Sequence, residues 1–140
     1  MAALTDVRLT DFYGHYPARR TVDMKAATKV LKGALVGIDS AGNAMPAGLL
    51  AGGTVRCVGV ASATADNTAG AAAAIQVEVK VGQFRFNNQG GDLVTKASVG
   101  TTCFVVDDNT VAATNGTATR ATAGIVQGID PDGTVRVLIA

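Results

Sequence analysis

Few residues of this sequence could do chemistry, and they lie far apart. The single histidine, His15, stands in TDFYGHYPARR (10–20), and no serine or cysteine has a partner base and orienting acid close by in sequence. Asp107 and Asp108 resemble a catalytic carboxylate pair. However, adjacent residues of a strand point to opposite faces, and acids before Asn-Thr are typical of a turn. The sequence therefore predicts a protein that is not an enzyme.

Metal and cofactor sites are also not indicated. Asp130 begins a DPDG segment that matches only the first residues of a calcium loop, without its later ligands or closing glutamate. No zinc spacing and no phosphate-binding glycine loop between a strand and a helix occur in the sequence. Cys57 and Cys103 each lie within a strand-like run, so we expect buried free thiols instead of a disulfide or a redox pair. We expect no cofactor and no metal.

Composition and charge limit the class of protein. The 140 residues suffice for one domain, and the net charge of +1 with 16% charged residues provides no broad field toward nucleic acid or an anionic membrane. No apolar run is long enough for a membrane span, and the N-terminus lacks the pattern of a signal peptide. We therefore expect synthesis in a cytoplasm and partners that are neither nucleic acid nor membrane.

The N-terminal segment differs from the rest of the chain. Residues 1–32 contain six Lys or Arg and three Asp, and three of the six aromatic residues fall within positions 12–16. Gly14 and Pro17 interrupt any strand or helix period, which favours an extended segment that binds another surface. Aromatic and arginine side chains supply much of the binding energy of protein interfaces. The candidate interface residues are Phe12, Tyr13, His15, Tyr16, Arg19 and Arg20. Packing of this segment on its own domain is the alternative.

The clearest structural signal is IQVEVKVGQFRF (75–86). The valines of its first half occupy odd positions and alternate with polar residues, as in a strand with one buried face. Phe84 and Phe86 occupy even positions, so an extra residue must be absorbed at Gly82 or Gln83 if all face one core. Glycine tolerates such a bulge, and the resulting bend helps a sheet curl into a barrel.

The other segments repeat short strands and turns. The alanines at 71–74 are expected to lead into the long strand, Asn115-Gly116 predicts a hairpin, and Pro131, Asp132 and Gly133 predict a turn between the last two strands. We predict an all-β fold, a small antiparallel β-barrel or β-sandwich of about eight strands. Residues 1–29 are assigned to an extended arm and residues 30–140 to the β domain.

Several segments resemble a known family. These are ALVGIDSAGNAMPA (34–47), VGVASATADNTAG (58–70), VEVKVGQFRFNNQGGD (77–92) and the run from Cys103 to Val126, CFVVDDNTVAATNGTATRATAGIV. In this order they resemble the capsid cement, or head decoration, proteins of tailed bacteriophages, over roughly residues 30–140. The most specific parts are the VxVxxGxFRFxN pattern and the Cys103–Val126 run. Residues 1–29 match least, so their role depends on the physical argument above.

The resemblance implies a structural virion protein without enzymatic activity. Such a protein binds the outer surface of the head where major capsid subunits meet and stabilises the capsid. It also implies a homotrimer, because decoration sites have local threefold symmetry; a dimer on a local twofold axis is the alternative. A virion-displayed module that binds carbohydrate or a receptor is the competing function, and it would need exposed aromatic platforms. Phe84, Phe86 and Phe104 lie in apolar runs and are expected in the core.

Overall fold

The chain folds almost entirely into β-strands. The computed structural model describes residues 19–48 and 54–140. In these ranges the strands are β1 (Arg19–Asp23), β2 (Thr28–Val30), β3 (Leu35–Ile38), β4 (Ala44–Pro46), β5 (Arg56–Ala61), β6 (Ala65–Asn67), β7 (Gln76–Lys80), β8 (Gly82–Asn88), β9 (Thr102–Asp107), β10 (Thr110–Ala112), β11 (Thr122–Ile129) and β12 (Val135–Ile139). One 3-10 turn spans Lys96–Ser98. The predicted all-β class is confirmed. Four of the twelve strands have only three residues, which leaves eight longer ones.

Five strands of the C-terminal half close into a barrel. Antiparallel pairs join β11 to β12, β12 to β8, β10 to β9 and β9 to β11, and a short parallel pair joins β8 to β10. Closure satisfies the backbone groups that would form an open sheet edge. The interior is filled by the apolar side chains Phe86, Val94, Cys103, Val105, Val111, Ala123, Val126, Val135, Val137 and Ile139.

The N-terminal half builds a second apolar core. Its strands follow the order β1-β7-β5-β3-β4, and an isolated parallel bridge between Met24 and Ala44 links the two ends of this path. The small sheet of β2 and β6 adds Val30 and Ala65 to the same core. Met24 is fully buried there, so residues just after β1 belong to the folded body. The other members are Ala34, Val36, Ile38, Ala44, Val58, Ala61, Val77 and Val79.

The two halves of the chain pack against each other beside a short parallel strand pair. β5 pairs with β11 only at Arg56 and Thr122, but Leu35 and Val60 of the N-terminal half pack into the barrel core. Residues 19–29, which the sequence assigned to the arm, form β1 and the start of β2. The boundary predicted between residues 29 and 30 thus falls inside β2.

Two local predictions were wrong. The alanines at 71–74 form a turn instead of a strand, because the side chain of Asn67 donates to the carbonyl of Ala71 at 2.9 Å and the amide of Ala74 bonds back to the same carbonyl. Asn115-Gly116 does not form a hairpin. The strands on either side of it, β10 and β11, both pair with β9 instead of with each other. The turn at Pro131-Asp132-Gly133 does join paired strands, β11 and β12.

The predicted long strand is divided at Gly82 into β7 and β8, which face two different cores instead of one. Val77 and Val79 are buried before it and Phe86 after it, and the chain changes partners there, from β1 and β5 to β12 and β10. Gly82 has a φ of +136°, a conformation that side chains rarely adopt. Gln83 follows as an exposed residue opposite Leu138.

Replacing Gly82 by valine is expected to lower the free energy of unfolding by about 1–3 kcal/mol. The cost comes from the backbone, because a Cβ at this position meets no atom within 4 Å. The matched control is Gly90→Val, which also enters open space but at a position without a positive φ. Denaturant unfolding of both variants measures the difference. Equal stability of the two would show that Gly82 carries no conformational strain.

Candidate interface at the N-terminal edge

Strand β1 has an open edge at the point where the N-terminal segment joins the body. On one side it pairs antiparallel with β7, from Arg19 opposite Lys80 to Asp23 opposite Gln76. On the other side, the only pairing within the described ranges is the bridge between Met24 and Ala44, so the backbone of residues 19–22 has no strand partner there. Open edges of this kind can pair with another chain, and charged side chains commonly protect them. β1 carries two such arginines.

Arg19 is held on the outer face of the sheet. Its guanidinium lies 2.9 Å from Glu78 of β7, and Ser62 donates a second hydrogen bond to the same carboxylate. The hydroxyl of Ser62 is the main cause that lowers the pKa of Glu78, with Arg19 adding to it. Both side chains of the ion pair are about half exposed, so the pair itself adds little stability.

Arg20 lies on the opposite face of β1. It pairs with Val79, whose side chain is buried in the N-terminal core, yet Arg20 itself is exposed. Among the described residues it makes no ion pair. The structure therefore separates the two predicted interface arginines. A partner that contacts both must reach around the open edge instead of lying flat on one face.

The other predicted interface residues cannot be placed by the structure. Phe12, Tyr13, His15 and Tyr16 lie outside the described residues. They lie three to seven residues before Arg19 in the chain. The length of chain between them and β1 therefore limits how far from β1 they can make contacts. At the extended rise this is at most about 25 Å from Arg19.

Three of the acids considered for catalysis and metal binding, Asp107, Asp130 and Asp132, bond to neighbouring groups of the protein. The carboxylate of Asp107 accepts a hydrogen bond from the backbone amide of Asn109 in the β9–β10 turn. The carboxylate oxygens of Asp130 lie 3.0 Å from Nε of Arg85 and of Arg136. The carboxylate of Asp132 holds the hairpin by accepting a hydrogen bond from the backbone amide of Thr134. Within residues 19–48 and 54–140, no group of three or more His, Cys, Asp or Glu could hold a metal ion.

The two cysteines are free thiols in or beside the barrel core. Cys103 is fully buried, and Cys57 packs against the same core from β5. Burial raises the pKa of Cys103 to about 11 and raises the pKa of Cys57 further. Both are therefore neutral near pH 7, and a neutral thiol is a poor nucleophile.

A cleft of about 420 Å³ lies beside the β11–β12 hairpin, and most of its polar side chains, apart from Asn87, are already bonded within the described residues. Asn88 exchanges two hydrogen bonds with the backbone of Val94, and Asp132 and Thr134 bond each other and Arg85. Leu93 supplies the exposed apolar wall. The cleft has few free groups with which to orient a polar ligand.

A polar latch that the sequence did not indicate holds the loop between β10 and β11. Asp92 accepts hydrogen bonds from the amide and hydroxyl of Thr114 and from Arg120, whose Nη1 lies 2.8 Å away. This fixes a turn in which Thr117 and Ala118 have φ values of 63°, which are rare for residues other than glycine. Asp92 and Arg120 are 28 residues apart, so only the fold brings them together.

The latch predicts a stability that depends on the charge of Asp92. The hydroxyl of Thr114, and secondarily its amide and Arg120, hold the pKa of Asp92 below its ordinary value. A lowered folded-state pKa stabilises the native state above the unfolded pKa of about 3.9, and this contribution is lost as pH falls through the folded pKa. Wild type should therefore melt at a higher temperature than Asp92→Asn at neutral pH, and the gap should close in acid. A gap that is constant with pH would contradict this account.

Comparison of the chain with protein-family models, with curated proteins and with solved structures finds no match. The described residues contain no helix long and apolar enough to cross a membrane.

Proposed function

We propose that this protein is a structural virion component that binds the outer surface of a phage head at junctions between major capsid subunits and stabilises the capsid. The observation that carries the proposal is the arginine-bearing edge of β1, which is open among the described residues and directly follows the aromatic-rich residues 1–18. Strand β1 belongs to a body with two apolar cores, one of them inside a closed barrel, and such a body holds the edge in a fixed position. The resemblance of residues 30–140 to decoration proteins supports the same assignment.

The binding would require no chemistry from the protein. Residues 1–18 supply aromatic side chains, which bury large area while losing few rotatable bonds. Arg20 supplies a charge that has no ion pair with residues 19–48 or 54–140. Two capsid subunits that each contact a different part of this surface are held together by the same molecule, which opposes their separation. A homotrimer multiplies such contacts around one axis, and a dimer is the alternative assembly.

A carbohydrate- or receptor-binding function has less support. It requires exposed aromatic platforms, but Phe86 is buried and Phe84 packs against the barrel core. The expectation that Phe104 lies in the core was wrong, because it is half-buried and belongs to neither core, but it provides only one partly covered ring. Most of the polar side chains of the cleft beside the β11–β12 hairpin are bonded within the protein.

The test is reconstitution on undecorated heads. Purified protein is mixed with heads that lack it, unbound protein is removed, and the bound copies are counted by mass spectrometry and located by cryo-microscopy. We expect saturable binding at junctions between capsid subunits and a higher temperature of DNA release. Absence of saturable binding, or binding only at the tail, would refute the proposal.

A further inference from the structure

Asn115 is the only one of the six asparagines of this sequence that precedes a glycine. An asparagine in this position can lose its side-chain amide without an enzyme. The backbone nitrogen of the next residue attacks the side-chain carbonyl carbon, and glycine hinders that approach least because it has no Cβ. Asn115 is exposed in the loop between β10 and β11, so water can reach it and ammonia can leave.

The turn that follows Asn115 is left-handed and depends on Asn115 for its hydrogen bonds. Residues 116–118 have φ values of 60°, 63° and 63°. The carbonyl oxygen of Asn115 accepts hydrogen bonds from the backbone amides of Thr119 and Arg120, both at 3.0 Å. A Cβ on Gly116 would lie 2.7 Å from Oγ1 of Thr119, so the turn requires glycine there. Left-handed residues are strained, and the turn persists because these bonds hold it.

Two groups of the turn favour attack on the side chain of Asn115. The backbone amide of Ala118 donates a hydrogen bond to Oδ1 of Asn115 at 3.2 Å. This oxygen gains negative charge when the side-chain carbonyl carbon is attacked, and a donor already in place stabilises that charge. The guanidinium of Arg120 lies beside Gly116, because its Nε would be 3.1 Å from a Cβ at that position. A cation there favours loss of the proton from the attacking nitrogen.

The backbone amide of Gly116 is only weakly held, whereas Arg120 is fixed. The acceptor of the Gly116 amide is the hydroxyl of Thr114 at 3.4 Å, which is long for an N–H···O hydrogen bond. Nη1 of Arg120 lies 2.8 Å from the carboxylate of Asp92 and 3.2 Å from the carbonyl oxygen of Thr114. The nitrogen that must attack is therefore nearly free, and the cation beside it stays in place.

We propose that Asn115 is a modification site, which the folded protein converts to aspartate and isoaspartate without an enzyme. The backbone nitrogen of Gly116 bonds to Cγ of Asn115, the bond from Cγ to Nδ2 breaks, and Nδ2 leaves as ammonia with the proton of the Gly116 amide. Water then opens the cyclic imide. Cleavage between Cγ and the nitrogen gives aspartate, and cleavage between the main-chain carbonyl carbon and the nitrogen gives isoaspartate. This inference goes beyond the proposed function, because the reaction needs only this chain and water.

Isoaspartate at position 115 should release the latch formed by Asp92, Thr114 and Arg120. The main chain then runs through the former side chain and is longer by one carbon. The carbonyl that accepts hydrogen bonds from the amides of Thr119 and Arg120 becomes a free carboxylate outside the main chain. The left-handed turn loses the acceptor on which it depends, so the converted protein should melt at a lower temperature.

The test incubates the full-length protein, folded in buffer and unfolded in urea, and follows each asparagine by mass spectrometry of its peptides. Asn115 should convert faster than the other five asparagines, and at least as fast in the folded chain as in the unfolded chain. Arg120→Ala should slow the conversion in the folded chain about fivefold, the effect of a unit charge about 4 Å away in water. The matched control is Arg56→Ala, at an exposed arginine on β5, which should leave the rate unchanged.

Three outcomes would overturn the inference. The first is an Asn115 that keeps its amide in the folded chain as long as the other asparagines keep theirs. The second is slower conversion in the folded chain than in the unfolded chain, which would show that the turn protects Asn115. The third is an Arg120→Ala variant that converts as fast as wild type or faster. If this variant fails to fold, the comparison of folded and unfolded wild type still distinguishes promotion from protection.

Discussion

A variant that begins at Arg19 is expected to keep its fold and lose at least about a hundredfold in affinity for the capsid. The first described strand begins at Arg19. Among the described residues, the buried members of both apolar cores begin at Met24, and Val22 packs against one of them. Residues 1–18 carry three of the six aromatic residues of the chain. Melting temperature and occupancy on undecorated heads, measured on the same preparation, separate the two effects.

Single substitutions should show which residues of the arm act as anchors. Tyr13→Ala and Tyr16→Ala should each cost about 2 kcal/mol or more of binding free energy, as buried aromatic anchors do. Arg20→Ala should have the next largest effect on the binding free energy. Its matched control is Arg56→Ala, because Arg56 is an exposed arginine on β5. Effects at His15 should be smaller and should shrink as salt rises.

Two results would contradict this account of the arm. Full occupancy by the truncated protein would show that the β body carries the binding. Unfolding of the truncated protein would show that the aromatic residues belong to its own core.

Replacing Gly59 by alanine is expected to destabilise the protein by about 3 kcal/mol or more. Gly59 lies in β5, opposite Val36 of β3, with a φ of +154°. A Cβ there would lie 2.5 Å from the carbonyl oxygen of Lys80 and 2.9 Å from Cβ of Val79. Both neighbours belong to β7, and one contact is with backbone, so relief requires that β5 and β7 separate.

Gly82→Ala is the matched control for Gly59→Ala, because it has a comparable backbone conformation but open space around its Cβ. Calorimetric or denaturant unfolding should rank Gly59→Ala as much less stable than Gly82→Ala. If the two variants unfold alike, backbone conformation dominates and the close approach of β5 to β7 costs little.

The sequence by itself determined the class of fold. Alternation of valine with polar residues in 75–81 predicts a strand with one buried face, and Val77 and Val79 are buried as that pattern requires. The DPDG turn is equally local, because proline and glycine restrict the backbone whatever surrounds them. The burial predicted for Cys103 also needed only the strand-like run around it. Cys57, which was predicted to be buried as well, is only partly buried.

Only the tertiary structure decided which strands are neighbours. Asn115-Gly116 is a strong local hairpin signal, but β10 and β11 pair on either side of β9, and the Asp92–Arg120 latch holds the loop between them. The same holds for the edge of β1, which in the described part of the chain reaches β4 only through the bridge between Met24 and Ala44. Pairings between distant residues depend on the whole packing of the chain, so no local pattern of residues encodes them.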